Sequence, residues 1–171
     1  MSRLPNESQT SAGNSGYDAI DLSLLRLLQN DARLTNRQLA AQTNVAPSTS
    51  LERVRSLIRR GVVTGFHAEV DLKAFGRTVQ ALISVRIRPP SREMIESFRD
   101  WVVTLPEVLG LFVTSGTDDF LIHVGVADTD GLYAFVIDRL TERREVADVR
   151  TSVVYEHVRT RVIEPTSQWA P

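Results

Sequence analysis

Hydroxyl and guanidinium groups recur along the segment PSTSLERVRSLIRR, residues 47–60, at a spacing that suits one side of a helix. Helical periodicity puts Ser48, Thr49, Glu52, Arg53 and Ser56 on that side, with Arg55, Arg59 and Arg60 on its flanks and towards its C-terminal end. Serine and threonine bond phosphates or base edges, and arginine bonds guanine bidentately, so the chemistry this set suits is recognition of a duplex. Arg37 falls near the start of the preceding predicted helix, in reach of a phosphate. The predicted DNA-binding residues are therefore Arg37, Ser48, Thr49, Glu52, Arg53, Ser56 and Arg59. A three-helix module of this size that binds protein instead of DNA is the alternative.

A second polar group, Gly116, Thr117, Asp118 and Asp119, joins two predicted strands. Glycine and aspartate are ordinary hairpin-turn residues, so the residues alone read as a turn. Elsewhere the titratable groups scatter. His67, His123 and His157 fall on separate predicted strands or connections, and the chain has no cysteine. Thiolate zinc sites, disulfides and cysteine nucleophiles are excluded, and no catalytic residue, metal or cofactor is expected.

Three helices must position the first set. Ile20, Leu24, Leu27 and Leu28 recur at i, i+4, i+7 and i+8 behind Asp18, a predicted N-cap. Thr35 precedes NRQLAAQT, with Leu39, Ala40 and Thr43 on one face, and Asn44 then tolerates a left-handed turn. Pro47 suits the first turn of a third helix whose predicted buried stripe is Leu51, Val54, Leu57 and Ile58, ended by Gly61. The last two helices, joined by a tight turn, make a helix-turn-helix. VVTGFHAEV, residues 62–70, alternates weakly and predicts a short wing or connecting strand.

The period then changes. VQALISVRIR, residues 79–88, places Val79, Ala81, Ile83, Val85 and Ile87 on one face of a strand that Pro89-Pro90 ends. A helix bearing Met94, Ile95, Phe98, Trp101, Val102 and Leu105 follows, then the strands VLGLFVTS and FLIHVGV. A second helix carries Leu132, Tyr133, Phe135, Val136 and Leu140, and a last strand runs from about Val149 to Val158. The order β-α-β-β-α-β predicts a ferredoxin-like domain with both helices on one face of an antiparallel sheet. Its other face, with Leu82, Leu111, Leu121 and Val154, is too apolar for water, and a second copy of the sheet is its simplest cover.

Bulk properties agree. The hydrophobic share of 42% and charged share of 24% are those of soluble globular chains. No apolar run approaches bilayer length, so no membrane-spanning helix is expected, and MSRLPNESQTSAGNSG lacks the apolar stretch of a secretory signal. Residues 17–64 carry seven Arg against four acids, a net of +3, whereas residues 65–171 carry a net of −4, so the front half is the part suited to a polyanion. The predicted organisation is a disordered tail (1–16), a helix-turn-helix domain (17–64), a wing or linker (65–78), an effector-binding and oligomerisation domain (79–160) and a C-terminal tail (161–171). The fold class is α+β.

Several of these residues carry a resemblance. Asp21, Asp31-Ala32-Arg33, Pro47-Ser48, LERVRSL with Gly61, and Gly65-Phe66 resemble the N-terminal domain of the Lrp/AsnC, or feast/famine, regulators. PEVLGLFVTSGTDDFLIHV is similar to that family's Gly-x-x-Asp-aromatic turn, and the likeness spans about residues 17–160. It implies a winged helix-turn-helix joined to the ferredoxin-like domain, a transcription regulator without enzymatic activity, cytoplasmic, working as a homodimer or a higher homo-oligomer on double-stranded DNA. It also implies a small-molecule effector, an amino acid, held by Ser115, Gly116, Thr117, Asp118 and Asp119. Asp118 or Asp119 would take the ammonium, and backbone N–H groups of 115–117 the carboxylate. Where the family has Gly and Ser, this chain has Asn44 and Ala46, and the latter removes an N-cap worth about 1 kcal/mol. VIEPTSQWAP also departs from the family's usual ending. A decarboxylase-like enzyme, or a ligand-binding oligomer on the same two-domain plan, is the rival reading.

Overall fold

The computed structural model describes residues 16–166, and residues 1–15 of the predicted N-terminal tail and residues 167–171 lie outside the described residues. Within it the chain forms two compact units, residues 16–68 together with 159–166, and Glu69–Val158.

The first unit is built from α1 (Ala19–Asn30), α2 (Asn36–Thr43) and α3 (Pro47–Arg59). Each end has a local cause. Asp18 accepts hydrogen bonds from the Ile20 and Asp21 N–H groups, and Thr35 with Gln38 closes a reciprocal capping box on α2. Asn44 takes the left-handed conformation (φ 55°) that turns α2 into α3, and Gly61 (φ 71°) does the same past α3. Leu24, Leu28, Leu39 and Leu57 close the core of this unit. The expected α3 stripe is only partly right. Ser50 and Leu57 are buried, whereas Leu51 and Ile58 are 38% and 44% exposed, because the face towards α1 and α2 is centred on 50, 54 and 57. The expected wing strand over 62–70 does not form. These residues pair with no strand among the described residues.

The second unit holds β1 (Val79–Ile87), α4 (Arg92–Val102), β2 (Val108–Val113), β3 (Phe120–Val126), α5 (Thr129–Ala134) and β4 (Val146–Val154). A π-helical turn, Phe135–Thr141, continues α5. Every pairing is antiparallel and the strand order is β2-β3-β1-β4, the expected ferredoxin-like arrangement. Ala81, Ile83, Val85 and Ile87 alternate inward with Phe120, Ile122 and Val124, and Phe98, Val102, Leu132, Phe135 and Leu140 cover that face. Of the residues that mark the second helix Tyr133 is exposed, and β4 begins and ends earlier than its predicted span of 149–158. Leu111 pairs with buried Ile122 and packs on the helix side, so the face without helices is instead Leu82, Leu121 and Val154 with Phe112, which pairs with Leu121. The last linker residues belong to this unit, because Arg77 donates to the Gly125 and Pro106 carbonyls at 2.6 and 2.5 Å.

Candidate nucleic-acid interface and effector turn

On α3 the spacing puts Ser48, Thr49, Glu52, Arg53 and Ser56 around one shallow open hollow. Ala46 offers no side-chain cap, so the first-turn N–H groups keep no side-chain acceptor and lie at the positive end of the helix dipole. Asn36 Nδ2 donates to the Pro47 carbonyl at 2.7 Å, which fixes the start of α3 to the start of α2. No signal in the sequence pointed to that bond. The buried Ser50 Oγ, by contrast, has no hydrogen-bond partner among the described residues.

The arginines divide into paired and unpaired. Arg53, expected on the exposed face, has a side chain only 29% exposed, with Nη1 2.7 Å from Asp18 Oδ2 and 2.9 Å from Asp21 Oδ1. It turns towards α1 because Asp21 is itself buried and must be neutralised. The two carboxylates hold the guanidinium firmly charged, and the Asp21 N–H and then Arg53 hold the Asp18 carboxyl below its usual range. Glu52 and Arg59 also pair (2.8 Å), and the guanidinium lowers the Glu52 carboxyl. Arg60 lies 4.3 Å over the Tyr17 ring. Arg37 and Arg55 remain exposed and form no ion pair among the described residues, although the Arg55 charge adds slightly to the lowering of Glu52.

In the second unit, Ser115, Gly116 and Thr117 form an exposed turn closed by Thr114, whose N–H donates to the Asp119 carbonyl (2.9 Å) and whose hydroxyl donates to the Asp118 carbonyl (2.7 Å). Both carboxylates are already engaged. Asp118 accepts from Arg150 Nη2 on β4 at 2.5 and 2.6 Å. Asp119 Oδ2 accepts from the Ile87 N–H at 2.7 Å and lies 4.0 Å from Arg88 Nη1. A ligand ammonium, which the resemblance assigns to Asp118 or Asp119, would share either carboxylate with these partners. Gly116 is required by its φ of 124°, not by space, since a Cβ there would meet nothing within 4 Å. The histidines do not gather with acids, and the described residues hold no cluster of three metal-ligating side chains. His123 and His157 do meet, with ring centroids 5.4 Å apart, and His123 Nε2 lies 3.0 Å from Gln80 Oε1. No helix of the described chain is long and apolar enough to cross a membrane.

A helix-turn-helix unit followed by a ferredoxin-like unit of this order defines a two-part DNA-binding regulator. Comparison with known proteins gives its family. A winged helix-turn-helix DNA-binding model matches residues 17–64, and the Lrp/AsnC ligand binding domain matches residues 80–163. The HTH-type transcriptional regulator AldR of Mycobacterium tuberculosis is 39% identical over 142 residues, 83% of this chain and 79% of that one. A transcriptional regulator of Neisseria meningitidis, solved as an L-Met complex, superposes with a TM-score of 0.81 at 30% identity, over 89% of this chain and 98% of that one. Escherichia coli AsnC superposes with a TM-score of 0.77 at 27% identity, over 87% and 99% of the two chains. The chain belongs to the Lrp/AsnC family of transcription regulators.

Proposed function

We propose that this regulator reads double-stranded DNA with α3 in the major groove. Ser48, Thr49 and Ser56 face the bases or their phosphates, and Arg37 and Arg55 contact the backbone. The observation that carries this is the pairing pattern. Among the described residues Arg37 and Arg55 are exposed without an ion pair, whereas Arg53 and Arg59 already spend their charge inside the unit. The open first turn of α3 adds backbone donors suited to a phosphate. Arg59 and Glu52 reach DNA only by giving up each other.

The effector reading that the resemblance implies is kept in a narrower form. We place a small amino acid beside the turn 115–119, its carboxylate on the exposed N–H groups of 115–117, with its ammonium met by another group or another copy of the chain. The Neisseria regulator solved with L-Met supports that ligand class. We further propose a homodimer through the sheet face bearing Leu82, Phe112, Leu121 and Val154, with higher assembly built on it, acting in the cytoplasm, where its DNA is. A decarboxylase-like activity is not favoured, since the family is one of transcription regulators carrying a DNA-binding domain.

The test is a mobility-shift titration of the full chain on its own upstream DNA, with and without a panel of amino acids. A shifted complex that survives nonspecific competitor, with affinity altered by one member of the panel, is the expected result. No complex on any fragment overturns the reading.

A further inference from the structure

His123 stands in the middle of the sheet face that no helix covers. Ile122 and Val124 on either side of it are buried in the core, so its ring takes the opposite face. There its neighbours across the strands are Leu82 of β1 and Gly110 of β2. Along the face, Phe112 and Leu121 lie on one side of it, and Gln80 and Val154 on the other. Two groups engage the ring. Its Nε2 lies 3.0 Å from Gln80 Oε1, and since an amide oxygen only accepts, the neutral ring carries its proton at Nε2. The His157 ring, from the segment after β4, meets it edge to face, with centroids 5.4 Å apart and planes at 86°.

These surroundings suit a neutral imidazole. From β1 the ring faces an amide and a leucine, from β2 a glycine, and from the segment after β4 a second imidazole. The charge that bears on it among the described residues is that of His157, a base like itself. The other charges of this face stand at its two ends. Arg150 takes Asp118 and Asp148 beside Arg86 at one end, and Arg77 takes the Gly125 and Pro106 carbonyls at the other.

We propose that self-association through this face is proton-linked, the dimer forming with His123 neutral and proton uptake by His123 opposing it. The inference rests on the reading of this face as the dimer interface. A second copy seated about a two-fold axis through the middle of the face takes water from the ring and sets it against the apolar middle of the same face. A charged imidazole there loses its hydration and gains no anion. The symmetry closes the proton site twice per dimer. The sign follows from linkage. The dimer is tightest above the ordinary histidine value of 6.5 and weakens as the pH falls below it, because the separated chains bind the protons that the dimer excludes.

Sedimentation of the full chain, without DNA or effector, tests this between about pH 7.5 and 5.5. The dissociation constant should rise at least about tenfold across that range, towards a limiting slope of about a hundredfold per pH unit for two excluded protons. His123→Gln, and His123→Asn should the first variant fold poorly, should still dimerise and should hold one constant throughout. His157→Gln should move the weakening to higher pH, because it removes the charge that opposes protonation of His123. A variant without His123 that weakens as wild type does overturns the proposal. So does a wild-type dimer that Phe112→Glu breaks but pH leaves unchanged, and there the interface reading survives. A chain that is monomeric at pH 7.5, or a dimer that Phe112→Glu leaves intact, overturns the interface reading and the proton linkage with it.

Discussion

Arg53 on α3 and Asp21 on α1 form one ion pair, Nη1 to Oδ1 2.9 Å, with Asp18 as a second acceptor at 2.7 Å. The relationship makes Arg53 a positioning residue. It neutralises a buried carboxylate and ties α3 to the N-terminus of α1, and on the proposed reading base contact falls to its smaller neighbours. Arg53→Ala should therefore lower the stability of the helical unit by about 1–2 kcal/mol, after discounting for its partial exposure. DNA affinity should fall by a similar factor on every sequence, not at a single base pair. Asp21→Asn should produce most of the same loss, and the double variant little more, in a thermal-unfolding cycle. Additive losses would mean that the two side chains act separately.

Arg37→Ala and Arg55→Ala should each weaken binding to specific and nonspecific DNA alike. Each should reduce the slope of log affinity against log salt by about one unit, as expected for one phosphate contact. Salt titrations by fluorescence anisotropy read that slope directly, and an unchanged slope assigns the residue to solvent.

Asp119 bonds the Ile87 N–H at 2.7 Å, so its removal leaves a partly buried donor unpaired. Asp119→Ala should cost the second unit about 1–3 kcal/mol. Asp119→Asn, whose amide oxygen still accepts that bond, should cost clearly less in calorimetry. An Ala variant as stable as wild type would make the carboxylate available for ligand.

Phe112 is 60% exposed on the sheet face that no helix covers. Phe112→Glu should turn a dimer into a monomer in light scattering while leaving the melting of the second unit nearly unchanged. A variant that stays dimeric places the interface elsewhere.

Burial, and next the neighbouring charge of His157, lower the His123 pKa from its ordinary 6.5. The folded chain therefore takes up this proton less readily than the unfolded chain. Stability of the second unit is full above that value and falls as the pH drops through about 6.5, levelling once the folded imidazole has also titrated. His123→Asn should flatten the curve between about pH 7.5 and 5.5, measured by denaturant titration. An unaltered pH profile assigns the loss to other groups.

Local rules were legible in the linear chain. Asp18, Thr35, Asn44 and Gly61 mark helix ends because capping and left-handed turns depend on one residue and its next few neighbours. The alternation from Val79 to Ile87 identified both the strand and its buried face because a pleat has a fixed period of two. The family resemblance rested on the same local patterns. Tertiary structure alone decided where charges are spent. Asp21 lies 32 residues before Arg53, Asp118 the same distance before Arg150, and Gln29 is 134 residues from Ile163, and no periodicity relates such positions. Which of two equally charged arginines is paired within the unit, and what a turn's carboxylates bond, depends on partners brought together only by packing. The face that buries Ser50 and leaves Leu51 exposed follows from the angle at which α3 meets its neighbours, a quantity that a single helix does not contain.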